Sequence, residues 1–160
     1  MEQFKILLDE GIKEFRSGDL NIALEKISQS IELKSDWEIP YFYRAAVHQT
    51  MKNYDDAILD YTKAIQLNNK MTDAYYNRAE IILSRKDIEN PNIEKAVEDL
   101  KCALELDENF KDALFAMASA QKKLGNYQLA LEYLDKLLKL DPDAVFARAL
   151  KKLILQKYVK

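Results

Sequence analysis

The sequence predicts an all-α fold of stacked antiparallel helix pairs, on three observations. Only three of 160 residues are Gly and three are Pro, which leaves little material for hairpins, phosphate-cradling loops or flexible linkers. Apolar side chains recur at the three-to-four-residue spacing of one helix face. One helix-like segment also comes back along the chain, as DLNIALEKISQSIELK, NYDDAILDYTKAIQLN, NIEKAVEDLKCALELD and NYQLALEYLDKLLKLD.

Small residues set the period of that recurrence. Ala23, Ala57, Ala96 and Ala130 follow one another at intervals of 34, 39 and 34, and upstream of them Gly11, Ala45, Ala79 and Ala118 fall at 34, 34 and 39. Each Ala of the first series is followed by an apolar stripe, such as Ile58, Tyr61 and Ile65 in the second copy or Leu131, Leu134 and Leu138 in the fourth. Each copy therefore reads as two antiparallel helices of about four turns joined by a short turn. Two helices cannot cover a stripe of this width alone, so each pair packs on the next, with the small residues where the axes approach most closely. Turn chemistry agrees: Gly18-Asp19 and Gly125-Asn126 set a helix-ending Gly beside a capping residue, and Asn53 and Asn92 stand ready to cap the other two second helices. Asp36, Asp141-Pro142 and Asp143 punctuate the joins between copies.

The period, the residues opening each first helix (Phe4 or Leu7, Tyr41, Tyr75, Leu114), the alanines, Tyr54 and Tyr127 after the turn, DAYYNRAEI at 73–81 and LDP at 140–142 resemble the tetratricopeptide repeat. The resemblance covers nearly the whole chain and implies a right-handed α-solenoid of antiparallel helix pairs. The expected organisation is a single domain over 1–160, with repeats at about 4–37, 38–71, 72–110 and 111–144. The first copy departs from the pattern by lacking an aromatic beside Gly11 and by ending in Lys34-Ser35-Asp36 without a Pro. The third holds five extra residues, because SRKDIENPN at 84–92 lengthens its turn into an expected protruding loop, with Asn92 starting the next helix after Pro91. A helix at about 145–158 is expected to cap the apolar end of the last pair. Its stripe of Phe146, Ala149, Leu150, Leu153 and Ile154 reads as out of the repeat's register, with Arg148, Lys151 and Lys152 where a fifth copy needs packing residues. The weaker reading lays this basic helix on an anionic membrane or an acidic partner.

Composition limits the chemistry. The net charge of −3 combines a tail, 145–160, holding five basic side chains and no acidic one with a body, 1–144, holding 19 basic against 27 acidic. So acidic a body argues against nucleic acid as a partner. The single cysteine, Cys102, excludes an intramolecular disulfide framework and a multi-cysteine zinc site. The charged N-terminus does not read as a signal peptide, and no apolar run approaches the roughly 18 to 20 residues of a membrane span, so a soluble, cytoplasmic protein is expected. No phosphate-binding, HExxH or EF-hand pattern is present, the only histidine, His48, has no sequence companion, and nothing beside Cys102 would activate it. No catalytic residue, metal or cofactor is expected, and the enzyme reading is set aside.

Stacked helix pairs offer a concave surface lined by the first helix of each copy. By resemblance, the partner-binding residues are Leu8 and Ile12; Phe42 and Tyr43; Asp73, Tyr76, Asn77 and Glu80; and Asp112, Phe115 and Ser119. Leu8, Phe42, Tyr76 and Phe115 form a ladder of equivalent positions, and Asn77 could pair with a peptide backbone. The leading expectation is an adaptor, or scaffold, holding an apolar or mildly basic segment of another protein. Its alternative is a structural protein whose homo-oligomer forms through the groove or the basic tail helix. Chaperone-binding members of the family grip a C-terminal carboxylate with Lys, Asn and Arg at set places. Here those places hold Leu8, Ile12, Tyr43, Asp73 and Asn77 over the first three copies, or Phe42, Ala46, Asn77, Asp112 and Ala116 over the last three. Only one Asn fits, so tails of the Hsp70/Hsp90 type are disfavoured.

Overall fold

The computed structural model describes residues 2–85 and 92–158. Among them are nine helices: α1 (Gln3–Ser17), α2 (Leu20–Leu33), α3 (Glu38–Thr50), α4 (Tyr54–Leu67), α5 (Thr72–Ser84), α6 (Ile93–Leu106), α7 (Lys111–Lys123), α8 (Tyr127–Leu140) and α9 (Val145–Lys157). The all-α architecture is the one the small-residue period implies. Residues 86–91, Pro91 included, hold most of the expected insertion and lie outside the described residues. The chain divides into two compact units, Met1–Ile81 and Ile82–Lys160.

In the first unit the turns follow one geometry. Gly18 adopts φ 91°, and Lys52, at the equivalent place of the next copy, adopts φ 64°. In both, the next residue's N–H returns to a carbonyl five back: Asp19 to Glu14 and Asn53 to His48. Asp19 and Asn53 then begin the second helices through their carbonyls, which accept from Ala23 and Ala57, while their side chains make no capping bond. The side-chain capping read from the sequence is realised in the second unit at Asn92, which accepts from the Lys95 N–H at 3.0 Å, and not at Asn126, whose amide donates to Gln121 Oε1.

The small residues are where helices meet. Ala23, Ala45, Ala57, Ala96, Ala118 and Ala130 are wholly buried. In the first unit Leu8, Ile27, Ile31, Tyr41 and Val47 form one cluster, and Ala45, Ala57, Tyr61, Ala74 and Ile81 another, with Phe42 packed against both. In the second unit Leu114, Leu131, Leu134, Leu137, Ala147 and Ile154 fill the space between α7, α8 and α9. Burial of this kind, near ~25 cal/mol per Å², holds each helix against its neighbour.

A polar contact recurs in register across the same crossings. Arg44 Nη1 donates to Ser28 Oγ at 3.3 Å, Arg78 Nη1 donates to Thr62 Oγ1 at 2.8 Å, and Lys151 Nζ donates to Asp135 Oδ1. Each joins a first helix to the preceding second helix across a separation of 16 residues.

That register corrects the reading of the tail. Ala147 and Ile154, 1% and 0% exposed, lie one repeat interval beyond the buried Ala113 and Ala120. α9 thus packs on α8 as the first helix of a fifth pair would. Its other positions end the series: Arg148 and Lys152 stand where Leu114 and Ala118 meet the second helix of their own pair, and a lysine cannot occupy an axis crossing that wants alanine. Lys151, by contrast, keeps the repeat's polar contact.

Candidate functional site

The first unit gathers aromatic side chains around Tyr61. This ring is fully buried, meets Phe42 edge-on at 5.7 Å, and Phe42 in turn meets Tyr43 at 5.6 Å. A buried phenol must find partners. The Tyr61 hydroxyl donates to Gln49 Oε1 at 2.9 Å and is also hydrogen-bonded to the Asn77 side chain. Burial drives its pKa well above the ordinary tyrosine value, the Asn77 bond opposes the rise, and the charges of Glu80 and Asp73 add to it.

Asn77 therefore spends part of its hydrogen-bonding capacity inside the unit. Asp73 and Glu80 are exposed on the same face of α5, one turn either side of it, and Tyr76 donates its hydroxyl to Glu80 Oε1 at 3.2 Å. Ile12, Phe42, Tyr43 and Tyr76 are half-buried. Leu8 is 3% exposed and packs among Ala23, Ile27 and Ile31, so it belongs to the core and offers no wall to a ligand. Phe42 is shared between core and surface. The rung positions are equivalent in sequence, but a leucine ends where a ring continues outward.

In the second unit α7 presents Asp112 in the open, with Phe115 and Ser119 half-buried. A cleft of about 200 Å³ beside Phe115 is walled by Lys111, Leu137, Asp141, Val145 and Phe146. A salt bridge of 3.1 Å from Lys111 to Asp141 closes its rim. The contribution of α9 was missed in the sequence, although the repeat interval separates Asp112 from Phe146 and Ser119 from Leu153 and was there to be counted.

The residues weighed for catalysis sit apart from these surfaces. His48 Nε2 lies 4.0 Å from Asp60 Oδ2, and Asp60 is held by Arg44 through two bonds of 2.7 and 2.8 Å, so the histidine flanks an ion pair. Its Nδ1 is buried without a hydrogen-bond partner in the described structure. Cys102 is half-buried on α6 and forms no disulfide. No group of His, Cys, Asp and Glu side chains among the described residues is arranged to hold a metal. No helix of the described residues is long and apolar enough to cross a membrane.

Sperm-associated antigen 1 of Homo sapiens is 36% identical over 97 residues, 61% of this chain and 10% of that protein. The Hsp70-Hsp90 organising protein of Plasmodium falciparum is 33% identical over 109 residues, 64% of this chain and 18% of its own length. The chain thus spans well under a quarter of these two relatives. Among solved structures, residues 41 to the end of MamA from Desulfovibrio magneticus superpose with a TM-score of 0.88 at 15% identity, covering 98% of this chain and 86% of that one. The first tetratricopeptide domain of Spaghetti (RPAP3), bound to the HSP90 peptide SRMEEVD, superposes with a TM-score of 0.70 at 22% identity over 76% of this chain and 93% of that one. At such identities the likeness shows the fold alone. Residues 40–71 match the family described as tetratricopeptide repeat, residues 111–160 match the Fis1 C-terminal tetratricopeptide repeat, and the chain belongs to the tetratricopeptide-repeat proteins.

Proposed function

We propose that the first unit holds an apolar, mildly basic segment of another protein against the faces of α3 and α5. Tetratricopeptide-repeat proteins are generally protein-interaction adaptors, and the family and fold are generally those of non-enzymatic scaffolds. The observation that carries the finer reading is one face of α5: half-exposed Tyr76 and Asn77 stand between exposed Asp73 and Glu80, and Asn77 is hydrogen-bonded to Tyr61, whose ring meets Phe42 of α3. Rings supply contact area at little entropic cost, and carboxylates select a cation on the incoming chain. The charge of the unit points the same way, with 14 acidic and 10 basic side chains in residues 1–81.

Because Phe42 also fills the core, its removal would confuse binding with folding. The test uses the exposed carboxylates. Affinity capture from a source lysate is run with the wild type and with Asp73→Lys/Glu80→Lys side by side. The double reversal is expected to release the captured partner while the circular dichroism spectrum stays unchanged, and equal capture by both proteins would count against this face.

The same charges speak against a chaperone tail here. Where chaperone-binding relatives use cations, this chain places Asp73 and Asp112, which repel a terminal carboxylate. Calorimetry is expected to show no binding of the peptide SRMEEVD that depends on its free terminal carboxylate. Micromolar binding that vanishes when the terminus is amidated would refute that expectation.

A further inference from the structure

We infer that the second unit carries a separate docking face, built by α7 and α9, for an acidic segment of another protein that seats one large apolar side chain beside Phe146 and sets carboxylates against Lys122 and Lys152. The inference stands apart from the reading of the first unit, whose face is acidic.

Register supplies the first step. α9 repeats the placement of α7 one repeat interval later, so Phe146, Ala149 and Leu153 continue the face begun by Asp112, Phe115 and Ser119. Phe146 is 78% exposed and Leu153 42%. The cleft between Phe115 and Phe146 measures about 200 Å³. Small-molecule sites begin near ~300 Å³, so a space of this size suits a single side chain of a peptide.

Charge chooses the occupant. α9 holds Arg148, Lys151, Lys152 and Lys157 and no carboxylate. Lys151 is engaged by Asp135, Arg148 lies 3.7 Å from Asp143, and Lys157 lies over the Tyr158 ring. Lys152, and Lys122 on α7, make no ion pair among the described residues and stand toward the C-terminal ends of their helices. Asp112, by contrast, is exposed at the N-terminal end beside the apolar cleft, so the occupant's carboxylates are drawn to the lysine end and kept from the Phe146 end. Six residues of helix place Lys152 about 9 Å along the axis from Phe146 and about a third of a turn around it, so the lysine flanks the apolar face. An extended peptide rises ~3.3 Å per residue, so its apolar anchor and its acids stand about three residues apart. An anionic bilayer fits less well, because recognition of that surface takes a cluster of about four or more free cations, and Asp135 and Asp143 already engage Lys151 and Arg148.

The test uses the full chain and an amidated, fluorescein-labelled peptide in which a Phe is followed three residues later by two Glu, read by fluorescence anisotropy. A control peptide carries Lys in place of both Glu. The acidic peptide is expected to bind saturably and more weakly as salt rises, and the control is expected not to bind. Phe146→Ser and Lys122→Glu/Lys152→Glu should each weaken binding about tenfold or more. Circular dichroism confirms that each variant keeps its helix content. Asp73→Lys/Glu80→Lys should leave this binding intact, so that failure of either face is read separately. Equal binding of the two peptides, or binding unmoved by Phe146→Ser, would overturn the inference. So would a concentration-dependent dimer in sedimentation velocity that Phe146→Ser dissolves, which would make the occupant a second copy. Co-pelleting with phosphatidylcholine–phosphatidylserine vesicles that the same substitution abolishes would overturn it too, by making the occupant a membrane.

Discussion

Gly11 and Ile27 fit because the glycine carries no side chain: a β-carbon placed there would stand 2.6 Å from Ile27 Cγ1 and 3.3 Å from the Ala23 carbonyl oxygen. The second and fourth copies put alanine opposite Tyr61 and Leu134 at this crossing. Only the first copy puts a β-branched residue there, with its bulk next to the backbone, and only there is the small residue reduced to glycine. Gly11→Ala should therefore cost about 1–3 kcal/mol by overpacking, less the ~0.5–1 kcal/mol that alanine gains in a helix. In an Ile27→Ala background, itself destabilised by ~2–5 kcal/mol, the same change should become neutral or stabilising. Urea denaturation of the four proteins measures the coupling, and a Gly11→Ala effect of the same sign and size in both backgrounds would refute the steric account.

Lys52 stands where the other two described hairpins have glycine. Its φ of 64° lies in the left-handed region, as do those of Gly18 and Gly125, and its side chain is exposed. The cost of that backbone to a residue with a β-carbon is about 1–2 kcal/mol, which glycine avoids while adding chain entropy to the unfolded state. Lys52→Gly should stabilise the first unit by roughly 0.5–1 kcal/mol. A lowered urea midpoint at unchanged m would mean the lysine side chain contributes something its exposure does not reveal.

These two sites show what pattern alone can deliver. The regular spacing of small residues is imposed by axis crossings, so it reads directly as helix pairs, and Ala23, Ala57, Ala96 and Ala130 are indeed fully buried. Sidedness within a pair is harder. Leu8 and Phe42 share a register position, yet one is core and the other straddles core and surface, because side-chain length decides how far the same Cα direction reaches. The tail was obscured for another reason. Ala147 and Ile154 obey the repeat on the face toward α8 while Arg148 and Lys152 violate it on the opposite face, and a stripe counted around the whole helix mixes the two.

The ion pair between Arg44 and Asp60 should respond unequally to loss of its members. Asp60 is 7% exposed and takes both guanidinium bonds, whereas Arg44 retains Ser28 as a second partner and reaches farther toward solvent. Arg44→Ala leaves a buried carboxylate whose nearest cationic candidate is His48 at 4.0 Å, and should cost about 3–5 kcal/mol. Asp60→Ala should cost less, and Arg44→Leu/Asp60→Leu should recover most of the loss, since apolar replacement of such pairs is often close to neutral. Thermal or urea unfolding distinguishes these outcomes. A double replacement as damaging as Arg44→Ala would show that the pair is needed for more than its own neutralisation.

Tyr61 gives the fold an alkaline limit whose sign can be worked out. Burial raises the phenol's pKa far above its unfolded value near 10, so between those values the unfolded chain releases a proton that the folded chain retains. Stability contributed by the neutral phenol is therefore complete below about pH 10 and falls as pH climbs toward the folded value, by up to ~1.4 kcal/mol per pH unit. Tyr61→Phe removes that proton and with it the bonds to Gln49 and Asn77, at a cost of about 1 kcal/mol at pH 7 and a further penalty for leaving the Gln49 carbonyl unpaired. The wild type should accordingly be the more stable protein at neutral pH and should lose its advantage only above about pH 11. Urea titrations of both proteins from neutral pH upward measure the crossing, and parallel pH profiles would mean that some other group sets the alkaline limit.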